Sequence, residues 1–272
     1  MQFQENKNLL IELALKAGNE TLKYFRKDFD VNLKSDNSPI TIADIAANEI
    51  IINGLKNTNI EIISEESENL SFEKRKNLKK FWIVDPIDGT KQFVKGEDEY
   101  TINIALICEN TVVEGIVFAP AKSELYYGNI NLGAEKINTL TNKVENIKIN
   151  HKIEKPKLVI SKSHLNKKTI DFVNAFKQKF QNTKYENLGS SLKLCAVASN
   201  MANIYPRLGQ INEWDIAAGH AVLKSAGGNV FDFETGKEII YNSENLKTPD
   251  FFAIKDFDFK QQLIEIYKNN VL

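Results

Sequence analysis

Trp82-Ile83-Val84-Asp85-Pro86-Ile87-Asp88-Gly89-Thr90 runs from an apolar, β-forming triplet into two aspartates separated by two residues. The triplet predicts a strand, and Pro86 is expected to halt it just after Asp85. Asp88-Gly89-Thr90 then predicts a tight turn whose backbone N–H groups are open to an anion. Two carboxylates three residues apart at a strand end can face one point. Without a cation they repel each other and one pKa rises, so a divalent metal is their natural partner. Asp-Pro and Asp-Gly taken singly are ordinary turn dipeptides; the whole run asks for more.

Working outward, further acids stand at element ends. Ser64-Glu65-Glu66-Ser67 follows the apolar run 60–63, and Glu213-Trp214-Asp215 stands where a helix should begin. Each has a plain reading, a solvated charge pair and a helix-start acid respectively. Strand ends and helix starts are also where a rigid scaffold displays ligands.

Periodicity supplies the frame. Leu10, Leu13, Ala14 and Ala17 recur at helical spacing, and a second helix is expected from Thr41, where Thr41-x-x-Asp44 has capping-box spacing with Asp for the usual Glu. Short β-rich runs at 60–64, 81–84, 101–108, 112–119 and 124–128 predict a mostly antiparallel sheet. From 157 onward the chain alternates: strand 158–161, helices 168–180 and 191–201, strand 204–207, helix 214–225, strands 229–233 and 251–254, helix 259–267. This is a second α/β lobe. The polar segment 139–156 is the expected boundary, giving lobes 1–145 and 146–272.

Composition narrows the function classes. With 35 basic and 36 acidic residues the net charge is −1, so no global field exists to hold polymeric nucleic acid. Cys108 and Cys195 lack metal or redox spacing and read as buried thiols of a reducing compartment. The first 26 residues hold no apolar run of signal or membrane-spanning length. A cytoplasmic protein is expected, with attachment to the inner membrane face left open.

The ordered acids Glu65, Asp85, Asp88 and Asp215, with Asp-Pro-Ile-Asp-Gly-Thr at the centre and Trp-Asp before an Ala-Ala-Gly helix, resemble the signature set of the inositol-monophosphatase superfamily. The resemblance spans nearly the whole chain. It implies a sugar-phosphatase-like αβαβα sandwich, an α/β fold with an antiparallel N-terminal sheet in an α+β layered arrangement. It also implies Mg²⁺, two or three ions. One would be held by Glu65, Asp85 and the carbonyl of Ile87, a second by Asp85, Asp88 and Asp215. Thr90 and Asp44 resemble the pair that orients the attacking water, although Asp44 also has a sound reading as a capping acid. Li⁺ inhibition is expected from the same resemblance. His151, His164 and His220 stand away from the acids in sequence, and no Cys-x5-Arg loop exists, so histidine- and cysteine-nucleophile phosphatases lack support.

Substrate choice must come from elsewhere in the chain. Gly189-Ser190-Ser191-Leu192-Lys193 opens a helix and Tyr205-Pro206-Arg207 ends a strand. Serines, a lysine and an arginine around a helix start suit a second phosphate. Within the superfamily this resembles the 3'(2'),5'-bisphosphate nucleotidases, and so does 89–95. Ser190, Lys193 and Arg207 would contact a 5'-phosphate with His164 nearby, while Asp88, Gly89, Thr90 and Asp215 meet the phosphate being removed. The implied reaction is hydrolysis of adenosine 3',5'-bisphosphate to AMP and phosphate within sulfur metabolism, with the 3'-phosphoadenylyl sulfate as a related substrate. An inositol or sugar-phosphate phosphatase, and a non-catalytic nucleotide-binding protein, are the alternatives. A monomer or homodimer is expected.

Overall fold

The computed structural model describes residues 2–27, 31–33, 39–151, 156–162 and 165–271. Helix α1 (Gln2–Leu22) is followed by the antiparallel pair β1 (Val31–Leu33) and β2 (Pro39–Thr41), then by α2 (Ile42–Leu55). The predicted capping box is present: the Thr41 side chain accepts from the amides of Ala43 and Asp44, and the Asp44 carboxylate accepts from the Thr41 amide. Strand β3 (Glu61–Ser64), α3 (Phe72–Arg75), β4 (Lys80–Asp88), α4 (Thr90–Val94), β5 (Thr101–Cys108), β6 (Thr111–Ala119), β7 (Glu124–Asn129), β8 (Gly133–Asn138) and β9 (Lys143–Ile147) complete the first half. Strands β3 to β9 lie in sequence order in one seven-stranded sheet, parallel only between β3 and β4. The polar segment 139–156 therefore contains the sheet's last strand. Four of the five β9 residues are exposed, so it carries no inside–outside alternation to read.

The second half comprises β10 (Lys157–Ser161), α5 (Lys167–Lys179), β11 (Lys184–Leu188), α6 (Leu192–Ala198), β12 (Ile204–Arg207), α7 (Trp214–Ala226), β13 (Asn229–Asp232), β14 (Phe251–Ile254) and α8 (Lys260–Asn270). Its sheet has the order β11-β10-β12-β14-β13, with β10 parallel to both neighbours and the remaining pairs antiparallel. The edge strand β11 was not legible in the sequence, because its first four residues are exposed.

These elements stack as five layers. Leu10, Leu13 and Ala17 of α1 and Ala47, Ile51 and Leu55 of α2 pack on Trp82, Val84, Ile102 and Ile104. The opposite face of that sheet meets α6 and α7 through Ile83, Ala105, Val197, Ala217 and Ala221, and those helices meet the second sheet at Val159 and Ala253. Helices α5 and α8 cover its far side with Phe172, Phe176 and Leu263. Each such side chain contributes about 1.5–3 kcal/mol on burial. The αβαβα sandwich expected from the sequence is the fold observed. Helix α7 lies close on the first sheet because Gly128 has no Cβ; one placed there would sit 2.5 Å from the Val222 Cα.

Two local expectations were wrong. Strand β4 does not stop at Pro86 but continues to Asp88, with a register shift between Asp85 and Asp88 opposite β5. β3 pairs only as far as Val84, so Pro86 lies where that edge of β4 has no ladder partner to lose. Cys195 is buried but Cys108 is only half-buried, so the expected burial of both thiols holds for one; both are free. Among the described residues, no helix is long and apolar enough to cross a membrane.

Candidate active site

The irregularity in β4 sets the site. In an uninterrupted strand, residues three apart point to opposite faces. The extra residue in the Asp85–Asp88 stretch reverses that parity, turning Asp88 toward the same face as Asp85. The Ile87 amide donates to Asp85 Oδ1 at 3.1 Å and fixes that carboxylate. Glu65 arrives from the end of β3 and Asp215 from the first turn of α7, where the Asn212 amide donates to Asp215 Oδ2 at 2.9 Å. One oxygen each of Glu65, Asp85 and Asp215 lies within 4.8 Å of the others. Asp88 stands beside them, its Oδ2 accepting from Ser191 Oγ at 3.0 Å.

This arrangement is electrostatically uphill for the protein alone. Burial raises the Asp85 carboxyl well above its ordinary value, and the charges of Glu65, Asp88, Asp215 and Asp44 add to the effect. Asp215 is raised well by burial, then by Asp88 and Glu65. Asp88 is raised by burial, against the pull of Lys193 and the Ser191 hydrogen bond. Asp85 Oδ2 is buried without a hydrogen-bond partner. A buried carboxylate oxygen so placed, beside two further carboxylates, fits a hard divalent cation, and an all-oxygen donor set is the one Mg²⁺ takes.

Thr90 heads α4, behind Gly89 in a left-handed conformation with φ of 91°. A Cβ on Gly89 would come within 2.6 Å of Ser190 Oγ, so only glycine fits that turn. Thr90 Oγ1 lies 3.2 Å from both Asp44 Oδ1 and the Ile87 carbonyl oxygen. Asp44 uses Oδ2 for its cap, accepting from the Thr41 amide at 2.8 Å and from Thr41 Oγ1 at 2.5 Å. The cap contact and the Thr90 contact of Asp44 thus coexist, one per oxygen. Burial raises its carboxyl, opposed by the Thr41 and Thr90 hydrogen bonds.

Asp88, Thr90, Ser190, Lys193, Arg207 and Asp215 line a single cavity of about 350 Å³. Ser190, at φ of 51° in the left-handed region, donates to the Asp88 carbonyl at 2.5 Å and joins the two halves of the chain at the cavity. Lys193 donates to the Ser190 carbonyl at 2.6 Å, and its ammonium lies 5.4 Å from the Tyr205 ring centroid. Burial pushes its pKa down to about 8, against Asp88. Arg207 Nε donates to the Gly209 carbonyl at 3.3 Å. His164 lies outside the described residues.

Several lining residues were not singled out from the sequence. Ser191 bridges Asp88 Oδ2 and the Asp215 carbonyl, the latter at 2.9 Å, and so ties two acids together. It stands in the serine-rich turn already flagged, but nothing distinguished it from Ser190. Asn212 and Lys247 also line the cavity, and no local motif marks either.

The chain matches the model of the inositol monophosphatase family over residues 3–260 and belongs to that family. Its relatives include the 3'(2'),5'-bisphosphate nucleotidase CysQ of Shigella flexneri, 37% identical over 251 residues that cover 88% of this chain and 96% of the relative. The protein of the same name from Buchnera aphidicola subsp. Acyrthosiphon pisum is 39% identical over 237 residues, 86% of each chain. Among solved structures, CysQ from Bacteroides thetaiotaomicron matches with a TM-score of 0.84 at 35% identity, covering 93% of this chain and 98% of that one.

Proposed function

We propose that this protein is a Mg²⁺-dependent 3'(2'),5'-bisphosphate nucleotidase that releases the 3'-phosphate of adenosine 3',5'-bisphosphate, giving AMP and phosphate. The observation that carries the reading is one cavity lined by Glu65 and Asp215 of the cluster they form with the buried Asp85, by Asp88, and by the cations Lys193 and Arg207. The names of the relatives agree with it. One ion would be held by Glu65, Asp85 and the Ile87 carbonyl, and a second by Asp85, Asp88 and Asp215. When bound, Mg²⁺ supplies positive charge against the phosphoryl oxygens and acidifies water.

The chain's own groups do the rest. Thr90 Oγ1 donates toward Asp44 or the Ile87 carbonyl, which leaves its lone pairs to accept from a water and hold it toward phosphorus. At the start of α4 the amides of Thr90 and Lys91 would donate to the phosphoryl oxygens. Water attacks phosphorus, the bond to the ribose 3'-oxygen breaks, and Lys193, Arg207 and Ser190 retain the 5'-phosphate. The same reading takes 1–145 as the lobe bearing most of the metal ligands and 146–272 as the lobe completing the site, in a cytoplasmic protein.

Phosphate release from adenosine 3',5'-bisphosphate and from inositol 1-phosphate, with Mg²⁺ or with EDTA, on wild type and Arg207→Ala, tests it. Mg²⁺-dependent turnover of the nucleotide, weakened in the variant, is expected. Preference for the inositol phosphate with an indifferent variant overturns the substrate assignment.

A further inference from the structure

Besides Lys193 and Arg207, the cavity is lined by two further lysines, Lys91 and Lys247. Lys247 lines it beside Asn212, whose Oδ1 accepts from the Lys247 ammonium and whose amide donates to Asp215 Oδ2 at 2.9 Å, whereas Lys193 donates to the Ser190 carbonyl at 2.6 Å and Arg207 Nε to the Gly209 carbonyl at 3.3 Å. Lys247 is thus held through Asn212, and Lys193 and Arg207 through other partners.

Lys247 is not carried on a loose loop. Its backbone bridges to Asn212, the Glu213 amide donates to the Leu246 carbonyl at 2.9 Å, and the Thr248 amide to the Ile211 carbonyl at 2.9 Å. The Lys247 amide donates to Asn245 Oδ1 at 3.1 Å. Upstream, both oxygens of the buried Glu213 carboxylate accept amides, from Asn242 at 2.7 Å and Ser243 at 2.8 Å. Arg75, buried at the end of α3, donates to Asn242 Oδ1, the Ser243 carbonyl and the Glu244 carbonyl at 2.6–2.8 Å. Asn242 and Leu246 hold φ of 74° and 55°, conformations that non-glycine residues adopt only when the surroundings enforce them. The construction holds the exposed Lys247 side chain at the cavity wall, its ammonium donating to Asn212 Oδ1 at 2.5 Å.

We propose that Lys247 is a binding contact for the phosphoryl group undergoing hydrolysis, a cation separate from the Lys193–Arg207 pair. This rests on the proposed nucleotidase reading for the identity of the substrate but not for the anion it binds. Asn212 orients the side chain, and two of the three ammonium hydrogens remain for phosphoryl oxygens. The pair reads the distal phosphate; Lys247 reads the one beside the acids.

The test compares Lys247→Met, Lys247→Arg and Arg207→Ala on adenosine 3'-monophosphate and adenosine 3',5'-bisphosphate in saturating Mg²⁺. Lys247→Met is expected to lower kcat/KM by roughly tenfold for both substrates alike, with Lys247→Arg recovering most of the loss. Arg207→Ala should penalise the bisphosphate alone. A Lys247→Met loss confined to the bisphosphate, or none, overturns the proposal. A positioning role through Asn212 would instead raise the Mg²⁺ concentration for half-maximal rate, and Asn212→Ala would reproduce it; that outcome also overturns the proposal. Inorganic phosphate binding to the Mg²⁺-loaded protein by calorimetry gives a readout that does not need turnover. Wild type inactive on both nucleotides, with phosphate bound about tenfold more weakly by Lys247→Met, would refute the nucleotidase reading and keep the contact.

Discussion

Replacing Asp85 with asparagine should strengthen the metal-free protein and remove its response to metal. The carboxylate is 1% exposed, one of its oxygens has no partner, and like charges stand within 4.8 Å. Two unit charges at that spacing repel by about 3 kcal/mol at an effective dielectric of about 20. Asparagine keeps an oxygen for the Ile87 amide and carries no charge, so in EDTA near pH 8 the variant is expected to gain stability on that order. Mg²⁺ at about a hundred times its dissociation constant stabilises the wild type by about 2.7 kcal/mol. For a chain of this size that is a rise of about 5–10 °C in Tm. The raised carboxyls hold protons that an unfolded chain releases near the ordinary value of 3.8, so metal-free wild type loses stability as pH rises from there through their folded pKa values. Asp85→Asn should flatten part of that slope. Thermal unfolding in EDTA and in Mg²⁺, at several pH values, measures all of this. If the variant is less stable than wild type in EDTA, or if Mg²⁺ raises both melting temperatures equally, the cluster is not a repulsive, metal-neutralised site.

Three other outcomes follow from the geometry. His220, fully buried in α7, donates through Nε2 to Asn229 Oδ1 and accepts at Nδ1 from Tyr241, the Asn229 amide nitrogen being committed to Glu238. Burial pushes its pKa down to about 4 from 6.5, so its share of stability is present above pH 6.5 and fades as pH falls toward 4; between pH 7 and 5 wild type should lose about 2 kcal/mol more than His220→Gln in urea unfolding. Gly128→Ala drives a Cβ within 2.5 Å of the Val222 Cα and 2.8 Å of the Ala221 carbonyl oxygen, both backbone, and should cost about 1–3 kcal/mol, seen as a lower Tm with the Mg²⁺ response retained. Thr90→Val keeps the shape but loses the hydroxyl held by Asp44; kcat for phosphate release should fall by about a hundredfold or more while the Mg²⁺-induced shift in Tm persists.

What was legible in the sequence divides along physical lines. Elements with one buried face announced themselves: α1 and α2 by helical spacing of Leu10, Leu13, Ala47 and Ile51, and β5 and β6 by apolar runs. Strands β9 and β11, largely open to solvent, and β8, half-buried along most of its length, carry no such pattern, which is why the first sheet runs to Ile147 through a segment that reads as a polar connection. The continuation of β4 past Pro86 was hidden for a different reason: whether a proline ends a strand depends on whether a neighbour needs its N–H, and β3 stops at Val84.

The site shows the same division. Asp85, Asp88 and Thr90 share one bulged strand and the turn after it, so three of the proposed site residues fall within six consecutive positions. Glu65 and Asp215 lie far off in sequence, yet each stands at an element end that pattern alone can find. Lys247 and Arg75 belong to neither class. Arg75 reads as a surface charge on a four-residue helix, but its guanidinium is buried against the 242–244 turn, and that turn, through Glu213, is braced on the segment that carries Asn212 and Asp215. A lysine is informative only when the backbone presenting it is fixed, and here that fixing comes from residues more than 150 positions apart in the chain. Such a long-range brace leaves no periodicity, no spacing and no turn motif, so it emerges only once the two sheets have been folded around α7.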